Sequence, residues 1–480
     1  MSRKDTTYLR PTGWENPKDE WRRLCPMDYG TYSWENWILI FEISDESDKP
    51  SFLQKFQRGI EATLGQCRHA AGSIEKNEFG DYSVVTRPDS TVRFATLWLD
   101  GPDDECLSYS EWESETFCCE ALIQDPSRLV VFPRSSDASP ATIQPTMAFQ
   151  LTFIPGGAIF GISIHHWFMD AIGIAGFMHQ LAANCRALEN GTERPFFDET
   201  LMDRSRFMGP PVPEKDKINV SPPPLVNRKR LPCAYLLFHL PLSKARELKR
   251  MATPEDGSMI STYDAVVAFL WRIMMKNRAQ IYNPRLRTKA IFGEPVNMRD
   301  RVDPPVPHGY QGVFACGTIS LFQKRPLTLS QVISEVPLSR VASFIRAITN
   351  SVDSAMLEKQ VDKNRRARDK LGLHKTLESL PPMSFVLTDW RGADVSQLDF
   401  GFGRSVAFRS PSDAVVGNLM ILYPHREVKD DPDHGWEIVL PFEAEHVDML
   451  INDPELNEFL QYCGYEAHAQ LTPRNLADTD

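Results

Sequence analysis

The sequence predicts a two-domain α/β protein in which mixed β-sheets carry flanking helices, the domains joined by a crossover loop. Three observations lead there. The chain has 480 residues, 42% of them hydrophobic, with ten tryptophans and 27 phenylalanines, which is enough for two cores of ordinary size. Strand-like and helix-like runs follow one another in both halves without the strict alternation of a parallel doubly wound sheet. Between Gly209 and Pro232 seven prolines fall in 24 residues among lysines and arginines, a composition that neither a helix interior nor a central strand tolerates. The division is therefore placed at 209–232, between an N-terminal domain, 1–208, and a C-terminal domain, 233–480.

Taken in order, Tyr32 to Ser44 is rich in aromatic and β-branched residues, and Trp34, Trp37, Ile38, Leu39, Ile40 and Phe41 mark a core strand. Asp45 to Pro50 supply a turn, and Phe52 to Leu64 follows at helical spacing. Ala148 to Ile154 and Ile159 to His166 read as a hairpin closed at Pro155-Gly156-Gly157. Asp170 is well placed to cap a helix, because Ile174, Phe177, Met178, Leu181, Cys185 and Leu188 repeat at three and four and Asn190-Gly191 supplies the stop. In the second half, Ala234 to Leu240 reads as a strand and Thr262 to Lys276 as a helix burying Val266, Val267, Phe269, Leu270, Ile273 and Met274. Gly417 to Tyr423 and Trp436 to Pro441 read as paired strands, Ala444 to Leu450 and Glu455 to Tyr462 as terminal helices. The basic run Lys363 to Lys370 reads as a solvated helix face rather than a phosphate site.

Composition excludes several function classes. The net charge is 53 minus 64, or −11, which argues against a nucleic-acid surface and for a small-molecule-directed protein. Met1 to Asp19 is polar, and no stretch approaches the roughly 20 apolar residues of a membrane span, so a cytoplasmic protein without membrane attachment is expected. The nine cysteines form no Cys-x-x-Cys pair and favour free thiols over disulfides or a zinc site.

Chemistry concentrates in four stretches. From Ala158 to Ile164 small and apolar residues run without a charge, then come His165, His166 and, four residues on, Asp170. On a strand the two imidazoles point opposite ways, so they do different jobs and cannot converge with Asp170 on one metal ion. A histidine at a strand end can accept a proton near neutrality; an interior histidine satisfied by its surroundings is the competing reading. In the second stretch, Gly293 to Pro307, Arg299 and Arg301 precede a Pro-Pro turn. Two surface arginines are the simple reading, but a buried one needs a carboxylate, and Asp170 lacks a partner. Third, Asp399-Phe400-Gly401-Phe402-Gly403 permits a tight turn that the phenylalanines pin to a core, preceded by Thr388-Asp389-Trp390. Fourth, Ser258, Ser261 and Thr262 precede or open a helix, where amides and hydroxyls either bind an anion or merely cap.

Together these stretches resemble the BAHD acyltransferases, the coenzyme A-dependent enzymes of plant and fungal specialised metabolism. His166 to Asp170 matches the family's His-x-x-x-Asp motif, and Asp399 to Gly403 its Asp-Phe-Gly-Trp-Gly motif with Phe402 in place of tryptophan. Val296 to Pro307 resembles its arginine segment, Ser261 to Arg272 its Ser-Thr-x-Asp helix, Leu24 to Asp28 its Leu-Ser-x-x-Asp element, and Gln66 to Gly72 its Pro-Leu-Ala-Gly segment. Within the family the chain is most similar to fungal enzymes of the trichothecene acetyltransferase kind. Ala171, Asp389 and Ser405 depart from the family's usual glycine, small hydroxyl residue and proline.

The resemblance implies two chloramphenicol-acetyltransferase-like domains with a tunnel between them and a monomeric enzyme without a permanently bound cofactor. Acyl-CoA, acetyl-CoA above all, would be the donor and a small metabolite the acceptor. His166 would be the general base and Asp170 the partner of Arg299, with Asp399, Gly401 and Gly403 as structural support. His165, Asp389 and Trp390 would lie on the acceptor side, and Ser258, Ser261 and Thr262 at the coenzyme. Two alternatives remain: a condensation-domain-like enzyme with a carrier-bound donor, since such domains carry His-His-x-x-x-Asp-Gly, and a non-catalytic metabolite-binding relative.

Overall fold

The computed structural model describes residues 3–13, 18–78, 80–101, 104–121, 125–222, 230–375, 377–426 and 432–468, so part of the crossover linker lies outside the described residues. The first half contains β1 (Arg3–Leu9), β2 (Glu20–Arg23), β3 (Trp34–Glu42), α1 (Lys49–Gln66), β4 (Ser73–Lys76), β5 (Tyr82–Thr86), β6 (Val92–Trp98), α2 (Tyr109–Ser114), β7 (Gln144–Pro145), β8 (Met147–Ile154), β9 (Gly157–His165) and α3 (Ala171–Asn190). The second contains β10 (Cys233–Leu240), α4 (Leu242–Ala252), α5 (Thr262–Tyr282), β11 (Ile291–Asn297), β12 (Ala315–Ile319), α6 (Leu338–Asn350), α7 (Ser354–Arg366), β13 (Ser384–Asp389), β14 (Ala407–Arg409), β15 (Leu419–Leu422), β16 (Trp436–Glu443), α8 (Val447–Ile451), α9 (Pro454–Asn457) and β17 (Gln461–His468).

These strands form a six-stranded sheet ordered β1-β6-β8-β9-β3-β14, a seven-stranded sheet ordered β12-β11-β13-β15-β16-β10-β17, and a small sheet ordered β2-β5-β4-β7. Pairing is antiparallel except for β6 with β8, β11 with β13 and β13 with β15, so both large sheets are mixed as expected. The predicted hairpin is β8 and β9, and β3 lies against β9 over nine residue pairs. All nine residues of β9 are buried, as an uncharged run covered on both faces must be. Asp170 caps α3 by accepting from the Gly173 amide at 2.8 Å, and Gly191 ends it with a φ of +63°.

The halves are not independent. β14 comes from the second half but pairs with β3 at the edge of the first sheet. One apolar cluster joins Trp37, Phe41, Phe56 and Phe160 of the first half to Leu237, Phe400, Phe408, Tyr423 and Val439 of the second. A second cluster lies between the other face of the seven-stranded sheet and α4, α5 and α6.

Two expectations need correction. Glu455 to Tyr462 is not a helix: α9 ends at Asn457 and the chain continues as β17 beside β10. Leu456, Phe459 and Leu460 have helical spacing and are buried together, but three residues can fill a corner of a core without a long helix. The basic run is only partly solvated. α7 stops at Arg366, and the Lys370 ammonium is buried, donating to the carbonyls of Asn364, Arg365 and Ala367 at 3.1, 3.0 and 2.8 Å. Helix-end carbonyls need donors, and Lys370 supplies them.

A buried charge cluster crosses between the large sheets. Arg409 on β14 grips Glu437 on β16 at 2.7 and 3.0 Å and meets Glu466 on β17 at 3.2 Å. Burial pushes the Glu466 carboxyl up to about 7; Arg409 opposes this and Glu437 adds to it. A carboxyl raised on folding binds more protons folded than unfolded, so its ionisation opposes folding as pH climbs from about 4.5 to about 7. Glu466→Gln should therefore be more stable relative to the parent at pH 8 than at pH 5, by on the order of 2 kcal/mol, in paired urea titrations.

Candidate active site

His165 and His166 end the same strand and meet opposite environments. The His165 ring is fully buried. Its Nδ1 accepts from the Trp167 amide at 3.1 Å, so Nε2 carries the proton and donates to the Ala138 carbonyl at 2.8 Å. Burial lowers its pKa to about 4, and the ring stays neutral and fixed. The acceptor-side placement expected for His165 is therefore corrected. It ties the strand end to the loop before β7.

His166 is only partly buried, and its ring makes no protein hydrogen bond among the described residues. Its backbone is held firmly. The His166 amide donates to the Ser33 carbonyl at 3.0 Å, and Phe168 N donates to the His165 carbonyl at 2.8 Å. The buried Trp167 ring meets Tyr29, Tyr32 and Tyr82 edge-on at 5.2, 6.0 and 5.1 Å, and its Nε1 donates to the Gly30 carbonyl at 3.2 Å. The imidazole beside it is thus anchored by main chain and left open at its nitrogens.

Asp170 faces away from that opening. Oδ1 accepts from Gly173 N and Arg299 Nη2, both at 2.8 Å; Oδ2 accepts from Arg299 Nη1 at 3.0 Å and Phe314 N at 2.8 Å. Four donors fill the carboxylate's four lone-pair positions, leaving none for His166. Burial alone would raise the Asp170 pKa, but Arg299 and the two amides hold it below its ordinary value. The buried carboxylate expected for Arg299 is Asp170, while Arg301 reaches the Thr349 and Val352 carbonyls at 2.8 and 3.0 Å.

A second buried pair lies beside the first. Arg204 Nε donates to Asp28 Oδ2 at 2.9 Å, and its Nη2 donates to the carbonyls of Phe168 and Gln311 at 2.7 and 3.1 Å. Asp28 also accepts from the amides of Cys25 and Val313 at 2.7 and 3.2 Å. The two pairs clamp the strap 310–314 against the loop that carries His166. Gly173 and Gly176 let the strap close on α3: a Cβ would come within 2.9 Å of the Gly312 carbonyl at one and 2.8 Å of the Gly309 carbonyl at the other.

The other predicted residues lie apart. Gly401 has a φ of +85°, and a Cβ there would reach the Arg186 backbone at 2.9 Å. Arg186 lies 16 residues beyond Asp170 on α3, about 24 Å along its axis, so the Asp399–Gly403 turn braces the fold far from His166. There Asp399 Oδ1 accepts the Gly401 amide at 2.8 Å, and Gly403 approaches Phe52 and Phe41. Trp390 is buried beside Trp37 and Tyr423, with ring centroids 5.6 and 6.1 Å away. Asp389 is held by Arg391 at 2.9 and 2.7 Å, and that guanidinium lies 3.6 Å from the Trp436 ring centre. Ser261 spends its hydroxyl in a capping box with Asp264, Thr262 is the first residue of α5, and Ser258 is exposed.

Strand parity locates an opening. On β11, β12 and β13 the face opposite the helices carries Pro295 and Asn297, which are exposed, and Ala315, Gly317, Ile319 and Thr388, which are half-buried. Farther along the sheet the same face carries Ile421, Val439 and Leu237, buried against the first half. One face is therefore filled at one end and open to solvent at the other.

Comparison with known proteins agrees with this architecture. A model described as "Transferase family" matches residues 119–457, and one described as "Trichothecene 3-O-acetyltransferase-like N-terminal domain" matches residues 35–185. The chain belongs to the transferase family of BAHD acyltransferases. This acyltransferase is 37% identical over 477 residues to acetyltransferase FGR3 of Gibberella zeae, covering 97% of the chain and 95% of the relative. The structure of Fusarium sporotrichioides TRI101 complexed with coenzyme A and T-2 aligns with a TM-score of 0.73 at 20% identity, over 93% of this chain and 100% of that one. The first condensation domain of the calcium-dependent antibiotic synthetase shares the fold more loosely, at a TM-score of 0.54 and 15% identity, over 90% and 94% of the two chains.

Nothing in the sequence of this acyltransferase marks Arg204, which belongs to no motif and whose partner Asp28 lies 176 residues away. Removing either buried arginine strands a carboxylate and several carbonyls. Arg299→Ala and Arg204→Ala should each cost about 3–5 kcal/mol in urea unfolding, whereas Asp399→Ala, at an exposed turn, should cost about 1 kcal/mol.

Proposed function

We propose that this chain transfers an acyl group, acetyl by preference, from acyl-CoA to a hydroxyl of a small specialised metabolite, with His166 as general base. One observation supports the reading: of the three ionisable side chains in the His165-His166-x-x-x-Asp170 stretch, only the His166 ring has no hydrogen bond among the described residues, the other two being saturated. The chemistry follows. A ring nitrogen of His166 takes the hydroxyl proton as the oxygen attacks the thioester carbonyl. The tetrahedral intermediate expels coenzyme A thiolate, which recovers the proton from the imidazolium. No acyl-enzyme forms, and the enzyme acts as a monomer without a resident cofactor. A positioned base supplies about a hundred- to ten-thousand-fold, so holding donor and acceptor together must provide much of the rest.

Coenzyme A appears in the TRI101 complexes, and both FGR3 and TRI101 are acetyltransferases by name, which supports an acetyl donor here. Asp170 and Arg299 hold the loop and relay no proton. The condensation-domain reading draws on the adjacent His165 and the shared fold. It predicts that a carrier-bound acyl group is required and that free acetyl-CoA fails.

The test uses purified protein with a panel of acyl-CoAs and hydroxylated metabolites, scored by thiol release and by mass gain of the acceptor. His166→Ala should lower turnover by about 10²–10⁴-fold with the unfolding midpoint unchanged. Near-native turnover by that variant would end the general-base assignment. Binding of metabolites without thiol release would favour a non-catalytic role.

A further inference from the structure

The face of the first sheet that carries His166 also carries a carboxylate with little to hold it. Strands β3 and β9 run antiparallel, with Trp34 opposite His165 and Glu35 opposite Ile164, and the His166 amide extends this register by donating to the Ser33 carbonyl. Side chains alternate between faces along each strand. Ile162 and Ile164 of β9 and Trp37, Leu39 and Phe41 of β3 all join the apolar cluster shared by the two halves, so His166, Ser33 and Glu35 continue that same face. Ser33 lies directly across from His166, with Cβ atoms about 5 Å apart, and Glu35 lies on the diagonal at roughly 7 Å. All three polar residues are half-buried, at the margin where the apolar cluster stops.

The protein makes little use of Glu35. An ionised carboxylate has four positions for donors. The Ser33 hydroxyl fills one, donating to Oε1 at 2.8 Å, and no lysine, arginine or further donor bonds to Glu35 among the described residues. Asp170, by contrast, has all four filled. A single bond to a side chain two residues away joins no distant elements, so the fold does not require a carboxylate here. From the second half, Tyr235 of β10 lies close enough to feel the charge: burial raises its pKa, and Glu378 and Glu35 add to this. The Tyr235 hydroxyl gives Glu35 nothing, since it donates to the Val416 carbonyl at 3.4 Å and accepts from the Val416 amide at 3.1 Å. Glu35 therefore sits at the junction of the halves, beside the base, with acceptor positions unspent. Hydrogen bonds to a charged group are stronger than those to a neutral one, so these positions favour a ligand that brings a donor.

We propose that Glu35 is a specificity-determining residue for the acyl acceptor: it accepts a hydrogen bond from a second donor, hydroxyl or ammonium, on the molecule whose reacting hydroxyl meets His166. The spacing suits two-point attachment. One strand over and two positions along, Glu35 makes no bond to the imidazole itself, yet a small molecule held at the ring can reach both groups. Two anchors on one face orient the reacting oxygen, and the bond from Ser33 fixes the carboxylate that forms one of them. A site built to hydrogen-bond a substrate group rejects the analogue that lacks it. The inference rests on the acyl-transfer reading for the identity of its ligand, and adds that the acceptor carries at least two donors.

The experiment is calorimetric titration of three probes that differ at one position, each into the parent protein, Glu35→Gln and Glu35→Ala, all in the presence of coenzyme A. The probes are 4-methylbenzyl alcohol, 1,4-benzenedimethanol and 4-(aminomethyl)benzyl alcohol. The parent should bind at least one of the two-donor probes about tenfold more tightly than the methyl compound, and Glu35→Ala should bind all three within about threefold of one another. In Glu35→Gln, which keeps the shape and one acceptor oxygen, loss of preference for the amine alone assigns the site to an ammonium, and loss for both probes assigns it to hydroxyl and ammonium alike. Absence of preference in the parent, including failure of all three probes to bind, overturns the proposal. So does a preference that survives in Glu35→Ala, or in Glu35→Gln for the amine should the alanine variant not fold. Equal weakening of the methyl compound by Glu35→Ala also overturns it, because that marks a structural role. These readouts are affinities and not turnover, so a failed general-base test and a failed Glu35 test are separable.

Discussion

The structure around His166 depends on how five consecutive residues without sheet partners on either side satisfy their backbone. The strap 310–314 is buried between the two halves, where an unpaired amide or carbonyl is costly. Two ion pairs provide the partners. Carbonyls of Tyr310 and Gly312 accept from Arg299, and that of Gln311 from Arg204; amides of Val313 and Phe314 donate to Asp28 and Asp170. Each arginine and each aspartate thus serves a neighbour's backbone as well as its own counter-charge. Pairing alone seldom offsets the desolvation of two buried ions, whereas pairing plus a full set of hydrogen bonds does. Asp170 is therefore fully engaged, its four lone-pair positions taken by Arg299 and two backbone amides.

The second constraint is the union of the halves. A sheet edge exposes unpaired backbone groups, and β3 would be such an edge had the second half not sent β14 to cover it. The returning segment turns at Gly401 and lays Phe400 and Phe402, one on each side of the turn, against Phe56 of α1. Arg409 completes the join by carrying its charge from one sheet to a carboxylate on the other. These contacts oppose sliding of the two halves past each other.

Much of this was legible in the sequence, for identifiable reasons. The β8–β9 hairpin, the Asp170 cap and the Gly191 stop are local, set by side-chain period and turn chemistry, and the structure has them where the residues put them. Arg299 could be matched to Asp170 because a buried charge demands its opposite. What stayed hidden depends on distance in the chain. Asp28 and Arg204 are 176 residues apart, and nothing in either neighbourhood signals the other. Asp389 read as acceptor-facing because it precedes Trp390, but Thr388 is the residue on the open face and Asp389 is spent on Arg391. The segment ahead of the last strand reads as a long helix because Leu456, Phe459 and Leu460 repeat at three and four, but all three lie before β17 begins at Gln461.

Parity also explains how one sheet can be both wall and floor. Along the face that looks toward the first half, β15, β16 and β10 present Ile421, Val439 and Leu237 to a shared core, whereas β11 and β12 present Pro295, Asn297, Ala315 and Gly317. Small or polar residues at those positions gain little by burial, so nothing drives the halves to close there. Large aliphatic side chains at Ala315 and Gly317 would add apolar surface to this face. Their smallness is what leaves this end of the sheet face open to solvent. The open face is thus a consequence of where the hydrophobic surface stops.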